Sequence, residues 1–219
     1  IPMGRLADIK GRKKILGYGF ALFSFGGVFC FISPSIYFLI FFRGLQGLGG
    51  GMVFSTGMAI LTSVFPPNQR GRVLGIAVSS VYIGLSTGPF VAGLLTHYFG
   101  WRSLFLIISI LGTIPLILTM FLEGEWADAA GEYYDRLGAL IYIPSLVGII
   151  YGFSILPKVA GILALILGCV GLAFFIRRQR TLENPLFQVN LFVENRVFAF
   201  SSLAALLHYS ATFGLMFLL

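Results

Sequence analysis

One arginine stands in a segment that is otherwise hydrocarbon-like. Arg43 lies in "LIFFRGLQGLGGGM" (residues 39–52), which carries no other charge. A guanidinium in such a run is costly unless it is paired or faces water, so it marks a functional candidate. The plainer reading is a side chain that snorkels to the membrane interface. "GLGGGM" lacks the Gly-Lys-Ser/Thr ending of a phosphate loop and sits inside an apolar run, which excludes nucleotide chemistry there. His97 and His208 are isolated, with His97 expected at the outer surface of the membrane. Cys30 and Cys169 fall in apolar runs, where a thiol is usually a small buried hydrophobe. No acid–base pair, disulfide framework or metal-ligand spacing is present, so the sequence does not read as an enzyme.

A second concentration of charge opens the chain. "MGRLADIKGRKKIL" (3–16) holds Arg5, Lys10, Arg12, Lys13, Lys14 and the acid Asp8 among glycines, and reads as a loop. The uncharged stretch "GYGFALFSFGGVFCFI" follows at once. These features must be positioned by membrane-spanning elements. Of 219 residues, 58% are hydrophobic and only 11% charged, against roughly a quarter charged in soluble domains, and the mean hydropathy is +0.94. The net charge of +7 does not signal nucleic acid, because the basic residues lie between apolar spans rather than along one soluble face.

A spanning helix needs about 20 mostly apolar residues. Seven such spans are predicted, at about 15–32, 36–62, 73–96, 102–122, 138–156, 159–176 and 196–219, giving an all-α polytopic transmembrane bundle. Turns are expected at 33–35, 65–72, 97–102 and 156–158, with longer loops at 123–136 and 177–196. Placing the opening segment in the cytoplasm puts Arg5, Lys10, Arg12, Lys13, Lys14, Arg70, Arg72, Arg136, Arg177, Arg178, Arg180 and Arg196 on that side. Only Arg102 and Lys158 fall opposite, which fixes the orientation by the positive-inside rule. The acidic 123–136 loop departs from this pattern in character, but acids contribute little to orientation.

Gly4, Leu6, Ala7, Asp8, Gly11, Arg12 and Lys13 follow the spacing G-x-L-A-D-x-x-G-R-K. This resembles the signature loop between the second and third helices of the major facilitator superfamily, although Ile9 stands where Arg is usual. The resemblance implies a cytoplasmic latch, with Asp8 at a positive helix N-terminus and Arg12 paired with a nearby acid. Leu39, Arg43, Gln46, Gly47 and Gly49 resemble the superfamily's fourth-helix motif, in which the Arg is implicated in proton coupling. Gly50 and Gly51 replace the more usual Ala. Gly84, Gly88, Pro89 and Gly93 resemble the fifth-helix motif that marks antiporters, with Ala92 in place of one Gly. Gly84 and Gly88 are expected to admit a neighbouring backbone, and Pro89 to bend the helix.

"FGWRSLFLI" (99–107) resembles the start of the sixth helix in drug exporters, with Ser109 in the region of a usual Asn. Two further spans before residue 183 resemble the fourteen-helix drug:proton antiporters of the EmrB/QacA type. The resemblance implies a fragment running from the end of helix 2 to helix 9. Residues 1–122 would then belong to the N-terminal half, 123–194 to an acidic loop with two extra helices and a linker, and 195–219 to the first helix of the C-terminal half. It further implies proton-coupled export of small lipophilic or cationic drugs across the plasma membrane. No cofactor beyond the proton gradient is expected, nor any metal site, and the complete protein is expected to be a monomer in the bilayer. A metabolite transporter, or an uncoupled channel or scaffold subunit, is the alternative.

The orientation is testable without knowledge of the substrate. In a background lacking Cys30 and Cys169, a cysteine at Ser35 should react with an impermeant thiol reagent in intact cells, and one at Asn68 should be shielded. Labelling at Asn68 without labelling at Ser35 would invert the topology.

Overall fold

The computed structural model describes residues 1–218. Its described residues form helices α1 (Pro2–Lys10), α2 (Arg12–Phe31), α3 (Ile36–Val64), α4 (Pro67–Phe99), α5 (Ser103–Met120), α6 (Arg136–Ser154), α7 (Val159–Gln179), α8 (Leu191–Glu194) and α9 (Arg196–Leu218), without strands. Six of these, α2 to α7, are long and apolar enough to cross a membrane. In hydrocarbon every backbone polar group must be satisfied within the chain, and a helix does this inside one segment. The seventh expected span, 196–219, corresponds to α9, which over its described residues is not among these six; its last residue lies outside the described residues.

The helix ends differ from the sequence expectation in instructive ways. Residues 3–10 are a helix, not a loop, and the break before α2 is the single residue Gly11, at φ 107° and ψ 125°. The expected turn at 65–72 is confined to Phe65 and Pro66, because Pro67 occupies the first turn of α4, where its missing N–H costs nothing. Arg70 and Arg72 therefore ride on α4, and Arg177 and Arg178 on the last turn of α7.

By internal contacts the chain divides into two compact units, residues 1–132 and 133–219. In the first, α2 lies against both α3 and α5. A Cβ added to Gly49 of α3 would stand 2.6 Å from the Phe23 backbone N and 2.7 Å from the Gly19 carbonyl, so these helices meet backbone to backbone. Small residues permit this approach, and van der Waals contact rather than hydrophobic gain rewards it in lipid. Further along, Phe25, Phe29, Phe38 and Phe42 form a ring cluster, with Phe29 stacked on Phe42 at 4.6 Å. At the α3-start end of the unit, Arg102 Nη2 donates to the Ser33 carbonyl at 3.1 Å and its guanidinium lies over Trp101. That contact joins the α2–α3 turn to the α4–α5 turn.

The second unit is built on an α6–α7 hairpin. Gly168 of α7 has room for no side chain, since a Cβ there would lie 2.7 Å from the Ser145 carbonyl. Phe175 is buried against Tyr142, with Ala139 and Leu186 beside it. Cys169, expected to be buried, is exposed, because the contact face of α7 carries Gly168 and Leu172 and turns residue 169 outward. Cys30 is buried as expected.

A polar knot closes the hairpin. Asp135 is 1% exposed and caps α6 by accepting from the Gly138 N–H at 2.9 Å. It also accepts from Arg178 Nη2 at 2.9 Å and from Gln179 Nε2 at 2.9 Å, while Gln179 Oε1 accepts from the Leu186 N–H at 2.6 Å. Burial alone would raise the Asp135 carboxyl. The hydrogen bonds from Arg178, Gly138 and Gln179, with the Arg178 charge, outweigh it and hold the group below its ordinary value. A carboxyl depressed in the folded state stabilises above its unfolded pKa and loses that contribution as pH falls through the folded value.

Asp135→Ala should therefore lower stability by at least the worth of a helix cap, about 1 kcal/mol. Thermal unfolding in detergent at neutral pH should show the gap between wild type and variant. The gap should narrow as pH drops below about 4, the unfolded carboxylate value. A gap independent of pH would remove the charge from the explanation.

Candidate functional site

Two constellations in the first unit carry the residues singled out by the sequence. Arg43 is the eighth residue of α3, about 10 Å along the axis from the helix start at 1.5 Å per residue. Its Nη1 donates to Gln46 Oε1 at 2.7 Å, and its guanidinium carbon lies 5.5 Å from the centre of the Phe105 ring on α5. The arginine remains exposed on the helix surface, whereas Gln46 is 2% exposed.

The glutamine is held by the helix that faces it. A Cβ on Gly26 of α2 would meet the Gln46 backbone N at 3.0 Å, and one on Gly27 would meet Gln46 Nε2 at 3.0 Å. Oε1 must face Arg43, which can only donate, so the amide orientation is set by the pair. Gln46 Nε2 and Ser24 Oγ are buried without hydrogen-bond partners among the described residues, and Ser109 Oγ donates to the Phe105 carbonyl at 2.6 Å. These side chains make a polar seam between α2, α3 and α5. Sequence reasoning named Gln46 as a motif residue but not as the group that carries Arg43. The i, i+3 spacing on one helix was the available signal.

Gly49 of the same motif makes the close α2–α3 contact, whereas an added Cβ at Gly47 would meet nothing within 4 Å. Gly84, Gly88 and Gly93 also stand open. Beyond their chain neighbours and the adjoining backbone of α4, no heavy atom among the described residues comes within 4 Å of an added Cβ, and α4 has no buried residue. The close helix neighbour expected at Gly84 and Gly88 is thus not among the described residues. Pro89 sits inside the uninterrupted helix Pro67–Phe99.

The second constellation surrounds the α1–α2 corner. Arg12, 9% exposed, lies between two carboxylates: Nη2 is 2.7 Å from Asp8 Oδ1 and 2.6 Å from Asp128 Oδ2. Arg5 pairs with Glu132 at 2.5 Å. Asp8 does not occupy a helix N-terminus. It belongs to the last turns of α1, and the N-terminus of α2 is taken by Glu125, whose Oε1 accepts from the Lys13 N–H at 2.8 Å. A carboxylate is favoured there by the unsatisfied amides and the helix dipole. Lys13 Nζ donates to the Leu122 carbonyl. Gly4 packs α1 on α3, an added Cβ meeting Ser55 at 3.6 Å. The partners Glu125, Asp128 and Glu132 escaped the sequence reading, although the acidic loop and the basic corner fall on one side of the predicted topology.

The sequence model of the Major Facilitator Superfamily matches residues 1–219. Among similar proteins, multidrug resistance protein Stp of Mycobacterium tuberculosis is 33% identical over 85% of this chain and 36% of its own length. A multidrug resistance protein B homolog of the same species is 31% identical over 99% of this chain and 41% of its own. Riboflavin transporter RibZ of Clostridioides difficile is 29% identical over 99% and 47%. The chain spans between 36% and 47% of the length of these relatives.

Gly11 is the local test of the corner. Its φ of 107° belongs to glycine, and a Cβ would stand 2.4 Å from the Glu125 side chain. Gly11→Ala should cost about 1–3 kcal/mol from backbone strain, read as a lowered unfolding temperature in detergent. Gly47→Ala, in open space, should leave that temperature nearly unchanged.

Proposed function

The chain belongs to the major facilitator superfamily, a family of transporters, and on that premise we propose that it is part of a proton-coupled exporter of lipophilic, including cationic, drugs. Its six apolar helices make it a multi-pass membrane protein. The observation that carries the proposal is Arg43, a permanent cation about 10 Å into a spanning helix, held by a buried glutamine yet exposed on the helix surface. A fixed positive charge at that depth lowers the proton affinity of any carboxyl brought near it and is itself accessible to a polar pathway. Relatives named multidrug resistance proteins support drugs as cargo, and the Gly88-Pro89 motif supports antiport over import. The cell membrane is the expected location, with the α1–α2 corner in the cytoplasm by the distribution of Lys and Arg. The complete protein is read as a monomer, with protons, the bilayer and a small lipophilic substrate as its partners, and no cofactor.

A second reading is favoured by one comparison, the relative named for riboflavin. On that reading the cargo is a planar, polar metabolite, and Arg43 would serve recognition rather than coupling.

The readings separate in proteoliposomes carrying the complete protein, an imposed pH gradient and a fluorescent lipophilic cation. Arg43→Ala should abolish gradient-driven movement. Arg43→Lys should be badly impaired, because an ammonium cannot hold the planar geometry between Gln46 and Phe105. Cation movement that ignores the gradient, or survives Arg43→Ala unchanged, would falsify the antiporter reading.

A further inference from the structure

The segment after α5 is more than a connection. We propose that Glu125, Asp128 and Glu132 form an acidic clasp that positions the Asp8–Arg12 corner, and that closing this clasp sets the turnover of the transporter. The proposal rests on the transport reading above and adds to it three positioning residues.

Each of the three acids has its own partner on α1 or α2. Glu132 takes Arg5 at 2.5 Å, Asp128 takes Arg12 at 2.6 Å, and Glu125 takes the Lys13 N–H at 2.8 Å. The backbones also join. The Arg12 N–H donates to the Trp126 carbonyl at 2.8 Å, and the Ala129 N–H donates to the Asp8 carbonyl at 3.0 Å, one bond on each side of Gly11. Ala129 is buried in consequence, and the Glu125 side chain fills the space that a side chain at Gly11 would need. A merely solvated acidic loop would leave its carboxylates in water and its backbone unpaired. Here more than a hundred residues of sequence are closed by five directed contacts on one corner.

The clasp has a physical consequence for Asp8. Arg12 reaches Asp8 with both Nε (2.8 Å) and Nη2 (2.7 Å), and Asp128 engages the same Nη2. The guanidinium is thereby fixed as a bridge, and Asp8 is held in one rotamer by a group that is itself held. Removing Asp128 frees one end of that bridge. Removing Glu132 frees Arg5, which stands two turns of α1 before the corner. The pairs sit where water and salt reach them, with Asp128 65% exposed, so the clasp is weakened by ionic strength.

The test uses the complete protein in the same proteoliposomes. Glu132→Arg and Arg5→Glu should each slow turnover by about fivefold or more while KM for the cation changes little. The exchanged pair, Arg5→Glu with Glu132→Arg, should recover most of the loss. Asp128→Asn and Glu132→Gln, milder changes that do not create like-charge contacts, should slow turnover in the same direction, and added salt should slow wild type more than Asp128→Asn. Independently of transport, cysteines replacing Arg5 and Glu132 should crosslink in a background lacking Cys30 and Cys169. Crosslinking without any gradient-driven transport by wild type would sink the transport reading and leave the clasp as a fold element. Transport by wild type with normal turnover in Glu132→Gln and Asp128→Asn, or reversals that the exchanged pair fails to restore, would overturn the clasp.

Discussion

In a bilayer, burying an apolar side chain between two helices gains little over leaving it in lipid, and every arrangement in this chain follows from that constraint. What holds α2 to α3, and α6 to α7, is backbone contact made possible by residues without side chains. Gly49 against Gly19 and Phe23, and Gly168 against Ser145, are points where a Cβ would meet the facing backbone within 2.7 Å. Aromatic rings add to the α2–α3 contact nearer the turn, with Phe29 stacked on Phe42. The large number of exposed apolar side chains on these helices is the surface expected of elements whose solvent is lipid, not a sign of incomplete folding.

Because hydrocarbon supplies so little, specificity moves to the polar ends. Each unit is closed at a helix terminus by charges that find fixed partners: Arg12 and Arg5 with the acids of 125–132 in the first, Asp135 with Arg178 and Gln179 in the second. The two locks differ in how they are built. Asp135 is buried and fully engaged by donors, so it acts as a permanent fastening of the hairpin. The acids of the first unit are partly exposed, and their hold depends on ionic strength.

The spans were legible in the sequence because twenty apolar residues between turn signals have few other meanings. The helix ends were not, since Pro67 and the basic residues that follow it look like loop chemistry yet fit the first turns of a helix. Residues 3–10 misled for the same reason: charge and glycine suggested a loop, while Met3, Leu6 and Ala7 recur at helical spacing and only Gly11 breaks the helix. The family motifs pointed to Arg43, Gln46, Asp8 and Arg12 as a matter of resemblance. Their partners were invisible, because Arg5 and Glu132 lie 127 residues apart and such a pairing leaves no periodic trace in the chain.

The two constellations hold charge at two depths by different means. A guanidinium at the membrane face can be neutralised by exposed acids, and the corner around Arg12 does this twice over. Arg43 has no acid in reach among the described residues. It is given a neutral amide and an aromatic face instead, which orient the cation without cancelling its charge. An acid in place of Gln46 would discharge the site. An alkyl group would keep the close contact with Gly26 but would leave the arginine free to swing toward the membrane face. Gln46 therefore meets both requirements at once. It packs against a glycine-lined helix and is polar enough to hold the charge without cancelling it.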